Sequence, residues 1–234
     1  MTGGIDASFG DMIVKKEENN LNKSFRTYEL FYFTLITIVY IAAMVMIVPF
    51  IKVYTNGITD ANYIRPSFAI LIVSAELMWA IRLPYSSITL AAGHFRETMV
   101  GAWIEAGTNL ILSIILVFKF GIIGVTIGTL VAMTIRTIEF IYHTSKYILK
   151  RRKIQSVIRV IILILEVVII VPIEISIIQS IEFESYIKWA LIAVIICIIN
   201  CVIVGIVNSI IYKKDLKELF AMLKRIIKKK EVDV

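Results

Sequence analysis

Long apolar runs separated by short polar segments dominate the pattern of hydrophobic and polar positions along the chain. Leu30–Ile51 and Trp189–Tyr212 contain no charged residue. Each run reaches the roughly 20 residues that a helix needs to cross the ~30 Å hydrocarbon layer of a bilayer. The runs are continuous, unlike the alternating ~10-residue strands of a membrane β-barrel. The pattern predicts six membrane-spanning helices, near residues 29–51, 67–91, 99–119, 121–143, 157–179 and 188–212.

Composition supports a membrane rather than a soluble fold. The 234 residues are 59% hydrophobic and 18% charged, whereas soluble domains are about 45–50% apolar and about 25% charged. A chain of this length cannot hide so many apolar groups in one core. We therefore predict an all-α integral membrane helix bundle over 29–212, preceded by a cytoplasmic segment, 1–28, and followed by a basic amphipathic cytoplasmic tail, 213–234.

The distribution of basic residues predicts the orientation of the bundle. Nineteen Lys and Arg residues flank one set of span ends, and four flank the other (Lys52, Arg65, Lys119 and Lys188). The side rich in Lys and Arg is the cytoplasmic one. We expect a multi-pass protein of the cytoplasmic membrane with both termini inside. The net charge of +7 is thereby explained by topology, and nucleic acid is not an expected partner.

The tail after the last span has an apolar stripe at three- and four-residue spacing. Lysines and arginines occupy the other face, and Lys224, Arg225 and Lys228 are candidate contacts to the membrane surface. We expect this helix to lie on the anionic inner leaflet. The alternative is a helix that packs on the cytoplasmic loops of the protein itself. The stripe comprises Leu216, Leu219, Phe220, Leu223, Ile226 and Ile227.

Ionisable residues inside the predicted spans are the candidate functional groups. A charge near mid-bilayer costs at least ~2.5–3.5 kcal/mol on insertion scales, so such groups face protein or a hydrated cavity. One interpretation is that they form interhelical pairs that neutralise one another. The other is a hydrated pathway that recognises a charged substrate or carries a coupling ion. The residues are Glu76, Arg82, Glu105, Arg136, Glu139 and Glu166, with Glu174 near the exit of the fifth span.

The candidate cavity residues are selected by their spacing. Arg82 lies two residues before Pro84, which removes a backbone donor and favours a bent helix lining a cavity. Glu105 and Asn109 share one helix face, as do Arg136 and Glu139, which could also pair within one helix. With Glu76, these residues give the predicted substrate-binding set: Arg82, Arg136, Glu76, Glu105 and Asn109.

Two further features of the sequence concern helix packing and catalysis. Gly124 and Gly128 have the small-xxx-small spacing that permits close helix packing in membranes. The sequence has no nucleotide-binding loop, metal-ligand box or catalytic triad. We therefore expect no enzymatic activity, no cofactor and no metal.

The central stretch resembles a known transporter family. Leu90-Ala-Ala-Gly-His-Phe-Arg-Glu-Thr98 is similar to the "A-x-G-x-F-basic-x-T" loop of bacterial polysaccharide and oligosaccharide-lipid flippases. Ile104-Glu-Ala-Gly-Thr-Asn-Leu110, Ser113 and Phe120-Gly-Ile-Ile-Gly-Val-Thr-Ile-Gly-Thr129 follow in the family's order. Ala7-Ser-Phe-Gly-Asp-Met12 resembles the end of the preceding family helix. The likeness covers roughly residues 7–150.

This resemblance implies the carboxy-terminal part of a MATE-like, two-lobed transporter of the multidrug/oligosaccharidyl-lipid/polysaccharide exporter superfamily. Members usually have twelve to fourteen helices, so a truncated or split flippase is expected, which needs an amino-terminal lobe or self-association. The implied substrate is a lipid-linked oligosaccharide, with Arg82 and Arg136 contacting its pyrophosphate or acidic sugars. A cation-coupled multidrug exporter of the same superfamily and a non-transporting membrane fragment or scaffold are the alternatives.

Overall fold

The structure, a computed structural model, describes residues 2–213 and 215–216, and the regular secondary structure of these residues is entirely helical. Six of these helices, α2 to α7, are long and apolar enough to span a membrane. The prediction of six membrane-length helices is confirmed, and the fold indicates a multi-pass membrane protein. The helices are α1 (Thr2–Val14), α2 (Glu18–Tyr54), α3 (Pro66–Ala91), α4 (Met99–Phe120), α5 (Ile122–His143), α6 (Ile154–Ile178) and α7 (Tyr186–Ile211).

The first long helix differs most from its predicted bounds. It begins at Glu18 rather than near residue 29, because the polar segment before the apolar run has a buried face of its own. Leu21 and Phe25 on that face are almost fully buried. At the same end of the bundle, α5 continues beyond His143 as one π-helical turn, Thr144–Ile148.

Helix α2 lies at the centre of the bundle and packs against α3, α6 and α7. Its core side chains Ile41 and Met46 are at most 2% exposed, as are Ile81 and Tyr85 of α3. Helices α3, α4 and α5 form a second group in which α5 packs against both α3 and α4. The outer faces of the helices are apolar and exposed, as expected for lipid contact.

Alternate helix ends meet on one side of the bundle, which we call the basic end. It comprises the starts of α2, α4 and α6 and the ends of α3, α5 and α7. Asn22 Nδ2 donates there to the carbonyl oxygen of Leu149 at 2.8 Å, and His94 Nδ1 lies 3.0 Å from His143 Nε2. Helix α1 packs against α2 and α3. That the basic end faces the cytoplasm stays a prediction from the charge distribution.

Candidate functional site

Four charged side chains from three helices meet inside the α3–α4–α5 group. Arg82 Nη1 of α3 donates to Glu105 Oε1 of α4 at 2.8 Å. Arg136 Nη1 of α5 donates to Glu139 Oε2, one turn along the same helix, at 2.6 Å. Arg136 Nε lies 3.6 Å from Glu105 Oε2, so Glu105 joins the two arginines. We call Arg82, Glu105, Arg136 and Glu139 the tetrad.

The backbone of α4 makes room for the tetrad. A Cβ atom at Gly101 would lie 1.7 Å from Glu139 Oε2 and 2.0 Å from Arg136 Nη1. Arg136 Nη1 also donates to the carbonyl oxygen of Thr98, just before α4, at 2.7 Å. Its guanidinium carbon lies 4.6 Å from the centre of the Phe140 ring, in cation–π contact. Arg136 is thus held by contacts that do not depend on Arg82.

The tetrad carries no net charge, since it has two arginines and two glutamates. Pairing offsets part of the cost of placing charges at membrane depth. The arginine side chains are 13% and 8% exposed, whereas those of Glu105 and Glu139 are 24% and 31% exposed. The carboxylates therefore face the outside of the bundle while the guanidinium groups lie behind them.

The other predicted cavity residues lie on the same helices but outside the tetrad. Asn109 Oδ1 accepts from Ser113 Oγ at 3.0 Å and from Thr129 Oγ1 of α5 at 3.3 Å. Glu76 is exposed and makes no ion pair with another described residue. Pro84 is buried inside α3, which runs through it to Ala91. Asn109 therefore serves the α4–α5 contact, whereas Glu76 lies near Tyr40 of α2 and has no counter-ion among the described residues.

Helices α4 and α5 approach each other closely at two glycines of α5. A Cβ atom at Gly124 would lie 2.3 Å from the carbonyl oxygen of Leu116. One at Gly128 would lie 2.7 Å from Ser113 Oγ and 2.9 Å from its backbone nitrogen. Because backbone atoms set these limits, any larger residue separates the helices.

A second buried charge cluster at the basic end was missed by the sequence analysis. Glu29 of α2 is fully buried and accepts from Tyr85 Oη at 2.5 Å. Arg159 Nη1 donates to Glu29 Oε2 at 2.8 Å, and Arg151 Nη2 does so at 3.0 Å. Glu29 thereby joins α2 to α3, to the α5–α6 connection and to α6.

The cluster continues past the end of α7. Asp215 is 3% exposed and pairs with Arg159 and, at 2.5 Å, with Arg26. We call Glu29, Tyr85, Arg151, Arg159, Arg26 and Asp215 the Glu29 cluster. In the sequence, the arginines indicate only the cytoplasmic side, and Glu29 lies at the edge of a predicted span. Glu29 and Arg159 are 130 residues apart, so their spacing gives no sign that they meet.

The structure does not describe the residues that are predicted to contact the membrane surface. Lys224, Arg225 and Lys228 lie outside the described residues. The segment that leads toward them is anchored through Asp215 to α2 and α6.

Comparison with known proteins identifies no relative of this chain. No family model matches the chain, and neither a curated protein nor a solved structure does. The resemblance to the flippase family therefore stays a prediction from the quoted motifs. The tetrad and the Glu29 cluster are therefore the features of the structure that bear on function.

Proposed function

We propose that the chain forms one wall of a membrane transport pathway for lipid-linked oligosaccharides, used in cell-surface polysaccharide synthesis. The observation that carries this proposal is the tetrad, a set of paired charges at membrane depth with carboxylates open to the outside of the bundle. Lipid contact with carboxylates that are 24% and 31% exposed is costly, so water or another protein surface faces them. A hydrated pathway meets that requirement.

The position of the tetrad along the helices supports a site within the membrane. Arg82 lies nine residues before the end of α3 at Ala91, and Glu105 six residues after the start of α4 at Met99. At 1.5 Å per residue, these residues are about 13 Å and about 9 Å from the basic end. Half of the hydrocarbon layer is about 15 Å. These distances support a tetrad within the half of the bilayer nearer the basic end.

The chemistry of the tetrad suits an anionic headgroup. Arginine binds phosphate through a planar fork of donors, and the carboxylates of Glu105 and Glu139 hold that fork when no substrate is bound. A pyrophosphate would displace the carboxylates and take over the pairing with Arg82 and Arg136. The resemblance to the flippase family supports the choice of a lipid-linked sugar as substrate.

The open side of the tetrad also needs a protein partner in this proposal. Alternating access requires two units that move against each other around a site. An amino-terminal lobe or a second copy of the chain would supply the opposite wall.

A charge-neutral replacement tests the proposal. Arg82→Gln together with Glu105→Gln keeps an uncharged hydrogen-bonded pair, while Arg82→Gln alone leaves Glu105 with only one arginine. We expect both variants to abolish surface polysaccharide in a strain that depends on this protein, with the double variant still present in the membrane at wild-type level. Wild-type polysaccharide from the double variant would show that Arg82 is not a substrate contact.

The neutrality of the tetrad favours a second candidate function, a non-transporting membrane scaffold. Compensated charges are what a purely structural cluster requires. In that case the double variant has no effect on polysaccharide, since an uncharged pair satisfies the same helices. The experiment above therefore separates the two functions.

The exposed Glu76 favours the other alternative, a cation-coupled multidrug exporter. An unpaired carboxylate at membrane depth suits a cationic substrate. Glu76→Gln would then lower resistance to cationic drugs and leave polysaccharide unchanged, whereas the flippase proposal predicts no change in drug resistance.

A further inference from the structure

A small polar cavity lies between α2, α6 and α7, on the other side of the bundle from the tetrad. The volume within the cavity that the centre of a water molecule can occupy is about 10 Å³. This is close to the volume that one water molecule requires. Leu30, Phe33, Ile162 and Leu163 form its apolar wall. The polar groups that line it are Thr34, Thr37, Arg159, Glu166, Asn208 and Tyr212.

Glu166 is the group in this cavity that the fold leaves unsatisfied. The residue is 7% exposed, and its Oε1 has no hydrogen-bond partner within the described part of the chain. The neighbouring hydroxyl protons are already used. Thr34 Oγ1 donates to the carbonyl oxygen of Leu30 at 2.9 Å, and Thr37 Oγ1 donates to that of Phe33 at 2.7 Å.

The other polar groups of the cavity do not neutralise Glu166. Asn208 Nδ2 donates to Thr34 Oγ1 at 2.9 Å. Arg159 directs Nη1 to Glu29 and Nη2 to Asp215. Its guanidinium carbon lies 5.4 Å from the centre of the Tyr212 ring. Of the described residues that line the cavity, only Arg159, Glu166 and Tyr212 are titratable.

An ionised carboxylate buried without a counter-ion is so costly that such groups neutralise instead. We infer that the cavity is a proton-binding site, in which Glu166 carries a proton and the remaining space holds one water molecule. The proton comes from hydronium, which is left as water, and one O–H bond forms on the carboxylate. This site lies on α2, α6 and α7 and does not rest on the proposed function of the tetrad.

A metal cation fits this cavity poorly. One water-sized space leaves no room for a partly hydrated ion, and Glu166 is its sole carboxylate among the described lining residues. The guanidinium of Arg159 in the same wall repels a cation. A proton neutralises the carboxylate of Glu166 and needs no additional space.

Infrared spectroscopy of the purified chain in lipid nanodiscs tests this site. The stretch of a protonated carboxyl group is separate from that of a carboxylate and shifts when the proton is replaced by deuterium. At neutral pH we expect this band in the wild-type protein, and we expect Glu166→Gln to remove a component of it. The matched control is Glu174→Gln, on the same helix and also 7% exposed, which must leave that component in place.

Three results would overturn the proposal. They are a band unchanged by Glu166→Gln, a component that does not shift in D2O, and a component that responds to added Na⁺ at constant pH. If Glu166→Gln does not fold, Thr37→Val serves instead, because it keeps Glu166 and removes a hydroxyl from the cavity wall. The band must then move in frequency without losing intensity, and an unmoved band contradicts the site.

Discussion

Single residues in this protein show how charges are made compatible with a membrane. Each arginine of the tetrad faces a carboxylate, and Glu105 is shared between Arg82 and Arg136. Of the two interpretations of these charges, interhelical pairing is present in the geometry, while a substrate-binding role stays a proposal. The two are compatible, because a carboxylate that neutralises an arginine is also a group that an anionic ligand can displace.

At the residue scale, Gly101 is predicted to be required for the Arg136–Glu139 pair. Gly101→Ala places a methyl group where those side chains lie, and overpacking costs about 1–3 kcal/mol. Gly107→Ala on the same helix is the control, since no atom lies within 4 Å of its Cβ position. Unfolding of the purified variants in detergent measures the difference. Equal stability of the two variants would contradict the described packing.

Glu29 is predicted to be the most sensitive charged residue for stability. Glu29→Gln leaves Arg151 and Arg159 without their shared carboxylate, and breaking a buried pair costs about 3–5 kcal/mol. Glu18→Gln is the control, because the Glu18–Lys150 pair is exposed and exposed pairs contribute little. Unfolding in detergent should show a large loss for the first variant and little for the second. The reverse order would refute the Glu29 cluster.

At the scale of elements, the helices could be predicted and their partners could not. Length and apolarity define a span, so α3 to α7 begin and end close to their predicted limits. The start of α2 was missed because residues 18–28 are polar on one face, and hydropathy does not detect a helix that continues out of the bilayer. Which side chains meet depends on helix order and rotation, and so the Glu29 cluster could not be derived from the spacing of its members.

The α4–α5 pair is predicted to depend on Gly124. Gly124→Ala forces the two helices apart, because the nearest atom to the new Cβ is the backbone oxygen of Leu116. Gly205→Ala in α7 is the control, since no atom lies within 4 Å of its Cβ position. Disulfide cross-linking between cysteines introduced across α4 and α5 should become slower in the first variant alone. An unchanged cross-linking rate would contradict the close approach.

At the scale of the whole molecule, the bundle has two unlike sides. The α2–α6–α7 side buries Glu166 and the two carboxylates of the Glu29 cluster, Glu29 and Asp215. The α3–α4–α5 side leaves the tetrad and Glu76 open, although the surrounding surface is apolar. A single bundle in lipid would expose these groups, so we propose that this side faces water and a partner wall.

Labelling of single cysteines in native membranes tests that claim most directly, after Cys197 and Cys201 are replaced by serine. Glu76→Cys and Glu105→Cys probe the open side, where the Glu105 side chain is 24% exposed. Ile104→Cys is the control, because Ile104 is an apolar residue that is 50% exposed at nearly the same depth as Glu105. We predict that a water-soluble maleimide labels the first two positions and not the third. Equal protection of all three positions would contradict a hydrated pathway along α3–α4–α5.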